Sequence, residues 1–162
     1  MSNSPSLVIG IDPGAKGGIA IFDRDGTLLS VCPMPLDAVD EVDPLELYNI
    51  LDCNPVLVVV EKVGPNPVWS RSSIWKFARN FESIISVIKL SEHPFDDQVL
   101  PTTWKKAILA GTLKDKNAAI AHAHSRYPSF ASTIKKHDGM ADAICIGEYG
   151  VRFLLSNGEV KT

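Results

Sequence analysis

Apolar residues in the first part of this chain gather in short unbroken runs, and later they recur every three to four positions. That change predicts strands giving way to helices. Leu7-Val8-Ile9-Gly10-Ile11 reads as a strand buried on both faces. It ends at Asp12-Pro13-Gly14, and Gly17-Gly18 allow a tight turn with close approach of backbone to a ligand. Ile19-Ala20-Ile21-Phe22 is a second strand, Asp23-Arg24-Asp25-Gly26 a hairpin turn, and residues 28–32 a third strand. Pro33 and Pro35 mark that third strand as an edge strand or its end, and the three form an antiparallel meander. Asp43-Pro44 caps a helix carrying Leu45, Leu47, Tyr48 and Leu51. Val56-Leu57-Val58-Val59-Val60 follows as the most strand-like run and stops at Glu61. A helix between two buried strands implies a right-handed crossover, so this strand lies parallel to the first. Asp12 and Glu61 then sit at corresponding C-terminal strand ends, where open α/β sheets bind ligands.

Beyond Glu61 the helical period takes over. Residues 64–71 form a loop containing Trp69 and Arg71, and a helix over 72–90 carries Ile74, Phe77, Phe81, Ile84, Ile85 and Ile88 on one face. Lys76 and Arg79 fall on the other face, where they either touch phosphate or stay solvated. Trp69 either stacks on a base or anchors packing, and Trp75, between the two faces, reads as a packing residue. Gln98-Val99-Leu100 is a short fifth strand, Thr102 opens a short helix, and a turn at 111–116 precedes a helix that Pro128 halts. His122 and His124, two apart, diverge on that helix and read as non-ligands. A last helix spans 139–155. With no repeat or linker, 162 residues make one domain with loose ends at 1–6 and 156–162.

His137-Asp138-Gly139-Met140-Ala141-Asp142-Ala143 stands at the mouth of that last helix. Asp138 and Asp142, four apart, point into one small volume, and like charges that close call for a cation or a proton between them. Asp138 as a plain N-cap is the competing reading. It loses ground because Asp12 and Glu61 occupy equally apolar settings upstream.

A net charge of -3 argues against a generic nucleic-acid binder, but two divalent cations held by these acids would reverse the local balance. Lys105, Lys106, Lys114 and Lys116, with Lys136 just before the acidic motif, are placed to contact phosphates. The acidic stretch from Asp37 to Asp43 reads as a solvated loop. Three widely spaced cysteines form no metal pattern and suit a reducing compartment. No apolar run reaches the ~20 residues of a membrane span and no signal-peptide pattern opens the chain, so an intracellular, membrane-free protein is expected.

Carboxylates from two strand ends and a helix start suit Mg²⁺, with Mn²⁺ as a substitute, and not zinc. Two such ions about 4 Å apart can activate water and stabilise the leaving oxygen of a phosphodiester. On that reading Asp12 bridges the ions, Glu61 supports one, and Asp142 with Asp138 holds the other. Lys62 or Lys136 could stabilise the developing phosphorane charge.

The segments Ile9-Gly10-Ile11-Asp12-Pro13-Gly14, Gly17-Gly18-Ile19-Ala20, Val58-Val59-Val60-Glu61 and residues 137–143 together resemble the RuvC-type Holliday junction resolvases of the ribonuclease H-like superfamily. The similarity is nearest to the branch with phage-type and chloroplast resolvases. That branch has a Pro-rich loop and Ser-Ser-aromatic helix after its Glu, as in residues 64–81, and a Thr-Trp-Lys segment like Thr103-Trp104-Lys105. The resemblance implies an α/β ribonuclease H-like fold with a mixed five-stranded sheet. It implies a Mg²⁺-dependent homodimer that makes paired symmetrical nicks in four-way DNA junctions, with Asp12, Glu61 and Asp142 catalytic. Bacterial members carry the fourth group where this chain has Gly139, which leaves Asp138, facing Asp142, and His137, a possible water activator. Sugar kinase and actin-like ATPases open similarly but need a second such domain. A nuclease for other branched DNA or RNA–DNA substrates, or a silent junction-binding protein, stands as the alternative on the same fold.

Overall fold

Alternation along two central strands decides where the acids face. In a computed structural model describing residues 6–64, 66–112 and 117–155, β1 (Leu7–Asp12) runs antiparallel to β2 (Gly18–Asp23) and parallel to β4 (Leu57–Glu61). β3 (Leu28–Pro33) and β5 (Phe95–Val99) complete a mixed sheet in the order β3-β2-β1-β4-β5. Ile9, Ile11, Val58 and Val60 point to one face, which α1 (Pro44–Leu51) and α2 (Arg71–Leu90) cover with Leu47, Leu51, Ile84 and Ile88. Val8, Leu57 and Val59 point to the other face, where they share a core with Trp104, Ala143, Ile144 and Ile146. Asp12 and Glu61 share the parity of this second set. Both therefore face the side that carries the last helix.

That side is built from α3 (Pro101–Ile108), α4 (Ala118–Arg126), the short α5 (Ala131–Ile134) and α6 (Asp138–Tyr149). α6 lies against β1 at backbone distance. A Cβ on Gly10 would stand 2.3 Å from the Gly147 nitrogen and 2.4 Å from the Ala143 oxygen, so only glycine fits there. Each large aliphatic chain buried between the layers contributes on the order of 1.5–3 kcal/mol against conformational entropy.

The meander, the parallel β1–β4 pair and the Asp43 cap are as the sequence suggests; the Asp43 carboxylate accepts from the Leu45 and Glu46 amides at 3.0 and 3.2 Å. Three expectations need correction. The fifth strand is Phe95–Val99, starting earlier than residue 98, because Phe95 and Asp96 pair with Val58 and Val59 at an edge where polar side chains meet solvent. The last helix is regular only to Tyr149 and closes with a wide turn, Gly150–Leu154, in which the Leu155 amide donates to the Gly150 carbonyl. Trp75 does not pack: it is 68% exposed, on the solvent side of α2. Lys114, Lys116 and the ends 1–5 and 156–162 lie outside the described residues.

Candidate active site

Parallel register brings the first two acids together. Ile11 pairs with Val60, so Asp12 and Glu61 end neighbouring strands at the same level. The third and fourth arrive with α6. His137 is its N-cap: the ring Nδ1 accepts from the Met140 amide at 3.1 Å and is thereby engaged. Asp138 is consequently the first helical residue and not the cap. Gly139 seats this turn, since a Cβ there would meet the Lys16 oxygen at 2.1 Å. The start of α6 is thus pressed onto the Gly-rich turn that follows Asp12.

The result is a cleft of about 610 Å³ lined by Asp12, Glu61, Asp138 and Asp142. Its lining also includes the 13–17 turn, Val63, Trp69, Ser73, Lys76, Phe77 and Asn80. The Trp69 and Phe77 rings lie 5.3 Å apart, and Phe77 stacks on Phe81 at 6.2 Å, making an aromatic wall on the α2 side. Trp69 therefore both packs and faces the cleft.

Electrostatics in the cleft are unbalanced. Burial raises Asp12 well above the usual carboxylate range, and the Glu61, Asp142 and Asp138 charges push it further the same way. Asp142 is raised to about 6, first by burial and then by Glu61 and Asp138, against the opposing pull of Lys105. Glu61, only 7% exposed, is raised by burial although a hydrogen bond from Trp104 and the Lys105 charge oppose it. Lys105 is the cation whose field reaches all three.

These shifts make a prediction for the metal-free protein. Between the unfolded carboxylate value of 3.8 and about 6, folded Asp142 holds a proton that the unfolded chain has released. Stability from this group therefore falls as pH rises through that window, and the full penalty stands above it. Asp142→Asn should remove on the order of 1–2 kcal/mol of this penalty at pH 7.5 and little at pH 4. Thermal unfolding at both pH values checks it; an equal change at each would show that Asp142 ionises freely.

The arrangement offers only hard oxygen donors, and they are mutually repelling and short of positive charge, which fits a divalent cation of the Mg²⁺ or Mn²⁺ kind. Among the described residues no three Asp, Glu, His or Cys side chains converge tightly enough to grasp one ion by themselves.

Other residues proposed from sequence fall into distinct places. Lys76 and Trp69 line the cleft. Arg79 pairs with Glu41 at 2.8 Å, and Arg71, Lys106 and Lys136 are exposed outside the lining. Lys62 alternates away from Glu61, and its ammonium donates to Gln98 Oε1 at 2.6 Å. His122 binds Glu148 at 2.7 Å, beside Arg152 at 3.1 Å and the Tyr127 hydroxyl at 3.3 Å, away from the cleft lining.

Sequence reasoning missed Lys16, Ser73 and Asn80 as cleft residues. Lys16 had a signal, its place in the turn after Asp12. Asn80, buried, accepts from the Val42 amide at 3.0 Å and ties the acidic loop to α2, a pairing across 38 positions that leaves no trace in a single sequence.

The mixed five-stranded sheet in this order, flanked by helices on both faces, has the ribonuclease H-like fold. Within that class the chain has the RuvC fold. It is similar to the Thermus thermophilus RuvC structure with a TM-score of 0.63 and 16% identity, over 95% of this chain and 97% of that one. The likeness to T. thermophilus RuvC in complex with Holliday junction substrate has a TM-score of 0.61 and 14% identity, over 96% and 97%. No protein-family model matches the sequence, and no curated protein matches it either.

Proposed function

We propose that this chain is a metal-dependent endonuclease that cuts four-way DNA junctions, a Holliday junction resolvase. The carrying observation is the convergence of Asp12, Glu61, Asp138 and Asp142 in one cleft of a RuvC fold. Support for the substrate comes from T. thermophilus RuvC, whose structure is in complex with Holliday junction substrate.

Asp12, Glu61, Asp138 and Asp142 would hold two Mg²⁺ ions, with Mn²⁺ able to substitute. When bound, such ions supply an activated water and a stabilised leaving oxygen for in-line phosphodiester hydrolysis. The chain's own part is placement. Asp12 feels the charges of Glu61, Asp142 and Asp138 together and would hold the ions with them. Asp138 is the better fourth ligand, because it lines the cleft while His137 spends Nδ1 on capping. Lys16 and Lys76 bring positive charge to the lining for the phosphates on either side of the cut, and Trp69 offers a ring face to an unstacked base. Lys105 opposes the carboxylate charge from beside the acids. One cleft makes one nick, so paired symmetrical nicks require two copies, and the acting form is a homodimer.

Labelled synthetic four-way junction, linear duplex, Y-fork and RNA–DNA hybrid, each with and without Mg²⁺, test the assignment. Paired symmetrical nicks confined to the junction are expected. Preferential cutting of the hybrid or fork would replace the resolvase with another nuclease on this fold, and metal-independent junction binding without any cut would mark a silent binder.

A further inference from the structure

Trp104 carries an interaction that packing alone does not require. It is fully buried on α3, at 0% exposure, in the core shared by Val8, Val59 and Ile144. A buried indole N–H needs an acceptor, and a backbone carbonyl serves most such rings. Here the acceptor is a site carboxylate: Nε1 donates to Glu61 Oε1 at 2.7 Å, across 43 positions of sequence. Because Glu61 is itself buried, a single strong donor to Oε1 fixes the carboxylate plane and leaves the other oxygen for the cleft. The same indole meets Lys105, whose Nζ lies 5.1 Å from the ring centroid. Lys105 is the cation whose field reaches Asp12, Glu61 and Asp142.

We propose that Trp104 is a positioning residue for the metal-binding acids: its N–H edge orients Glu61, and its ring face holds the Lys105 ammonium beside the carboxylates. The inference rests on the nuclease reading. It makes α3 part of the site through a side chain that does not line the cleft. Partners of this kind, one shell behind the ligands, typically govern metal affinity or turnover by ten- to a hundredfold.

Two variants of the full chain separate positioning from packing. Trp104→Phe removes the N–H and part of the ring; replacing Trp104 with benzothienylalanine keeps shape and ring face and removes the N–H alone. Mn²⁺ affinity is read by electron paramagnetic resonance without DNA, and kcat, half-saturating Mg²⁺ and metal-free junction affinity are read well below each variant's unfolding temperature. For the benzothienyl protein we expect Mn²⁺ binding weakened by about tenfold, half-saturating Mg²⁺ raised in parallel, kcat lower by about ten- to a hundredfold, and junction affinity unchanged. Should Trp104→Phe fail to fold, the isosteric replacement decides alone. Mn²⁺ affinity and kcat within twofold of wild type, with only the melting temperature lowered, would overturn the proposal and leave Trp104 as core packing. If the wild type itself neither binds Mn²⁺ nor cuts any branched DNA, the nuclease reading has failed, and the positioning role goes with it.

Discussion

Asp12→Asn is expected to reduce metal-dependent junction cleavage on the order of a thousandfold, because under the proposed function Asp12 would hold the ions that supply several kcal/mol of charge stabilisation. Junction binding without metal should persist, since the phosphate contacts assigned to Lys16 and Lys76 are untouched. The same change should stabilise the metal-free fold at neutral pH. Asp12 is raised by burial and by three neighbouring acids, so its ionised form opposes folding above its unfolded value, and a neutral amide does not. Loss of cleavage with a higher melting temperature is a signature that damage to the fold cannot imitate. Wild-type cleavage by the variant would remove Asp12 from the site.

Gly10→Ala is the second large effect, this time on stability. One methyl group would have to occupy space 2.3 Å from the Gly147 nitrogen and 2.4 Å from the Ala143 oxygen, both backbone atoms that no rotamer change can move. Relief requires α6 to lift off β1 and so to separate Ala143, Ile144 and Ile146 from the sheet. The expected cost is at least about 3 kcal/mol, at the upper end for overpacked cores, and the melting temperature should fall by roughly 6–12 °C. Lifting α6 also draws Asp142 away from Asp12, so cleavage should decline even in the fraction that remains folded. Thermal denaturation followed by circular dichroism is the check. A change smaller than about 2 °C would mean that helix and strand are not in backbone contact.

The central strands were legible because Leu7-Val8-Ile9 and Val56-Leu57-Val58 have no reason to be apolar on both faces except burial. The edge strand was legible only at its end, Gln98-Val99, since Asp96 and Asp97 look like loop residues and Asp96 pairs because β4 offers an open edge. Asp12 and Glu61 could be read because each ends an apolar run, and Asp138 and Asp142 because they stand four apart at the start of an apolar helix. Trp104 could not: its connection to Glu61 is made by α3 folding back under the sheet, and a buried tryptophan after a strand carries no mark of its partner. Lys62 shows the opposite limit. It adjoins Glu61 in sequence, yet strand alternation turns it toward Gln98.

The two sides of the cleft belong to different parts of the architecture. Every acid rides on the sheet or on α6, whereas Trp69, Ser73, Lys76 and Phe77 ride on the loop after β4 and the opening of α2. Under the proposed function, the acids that would cut and the α2 residues that would meet the nucleic acid therefore sit on separate pieces of scaffold. On that reading, exchanging the α2 face would alter which branched substrate is accepted while leaving the four acids in place.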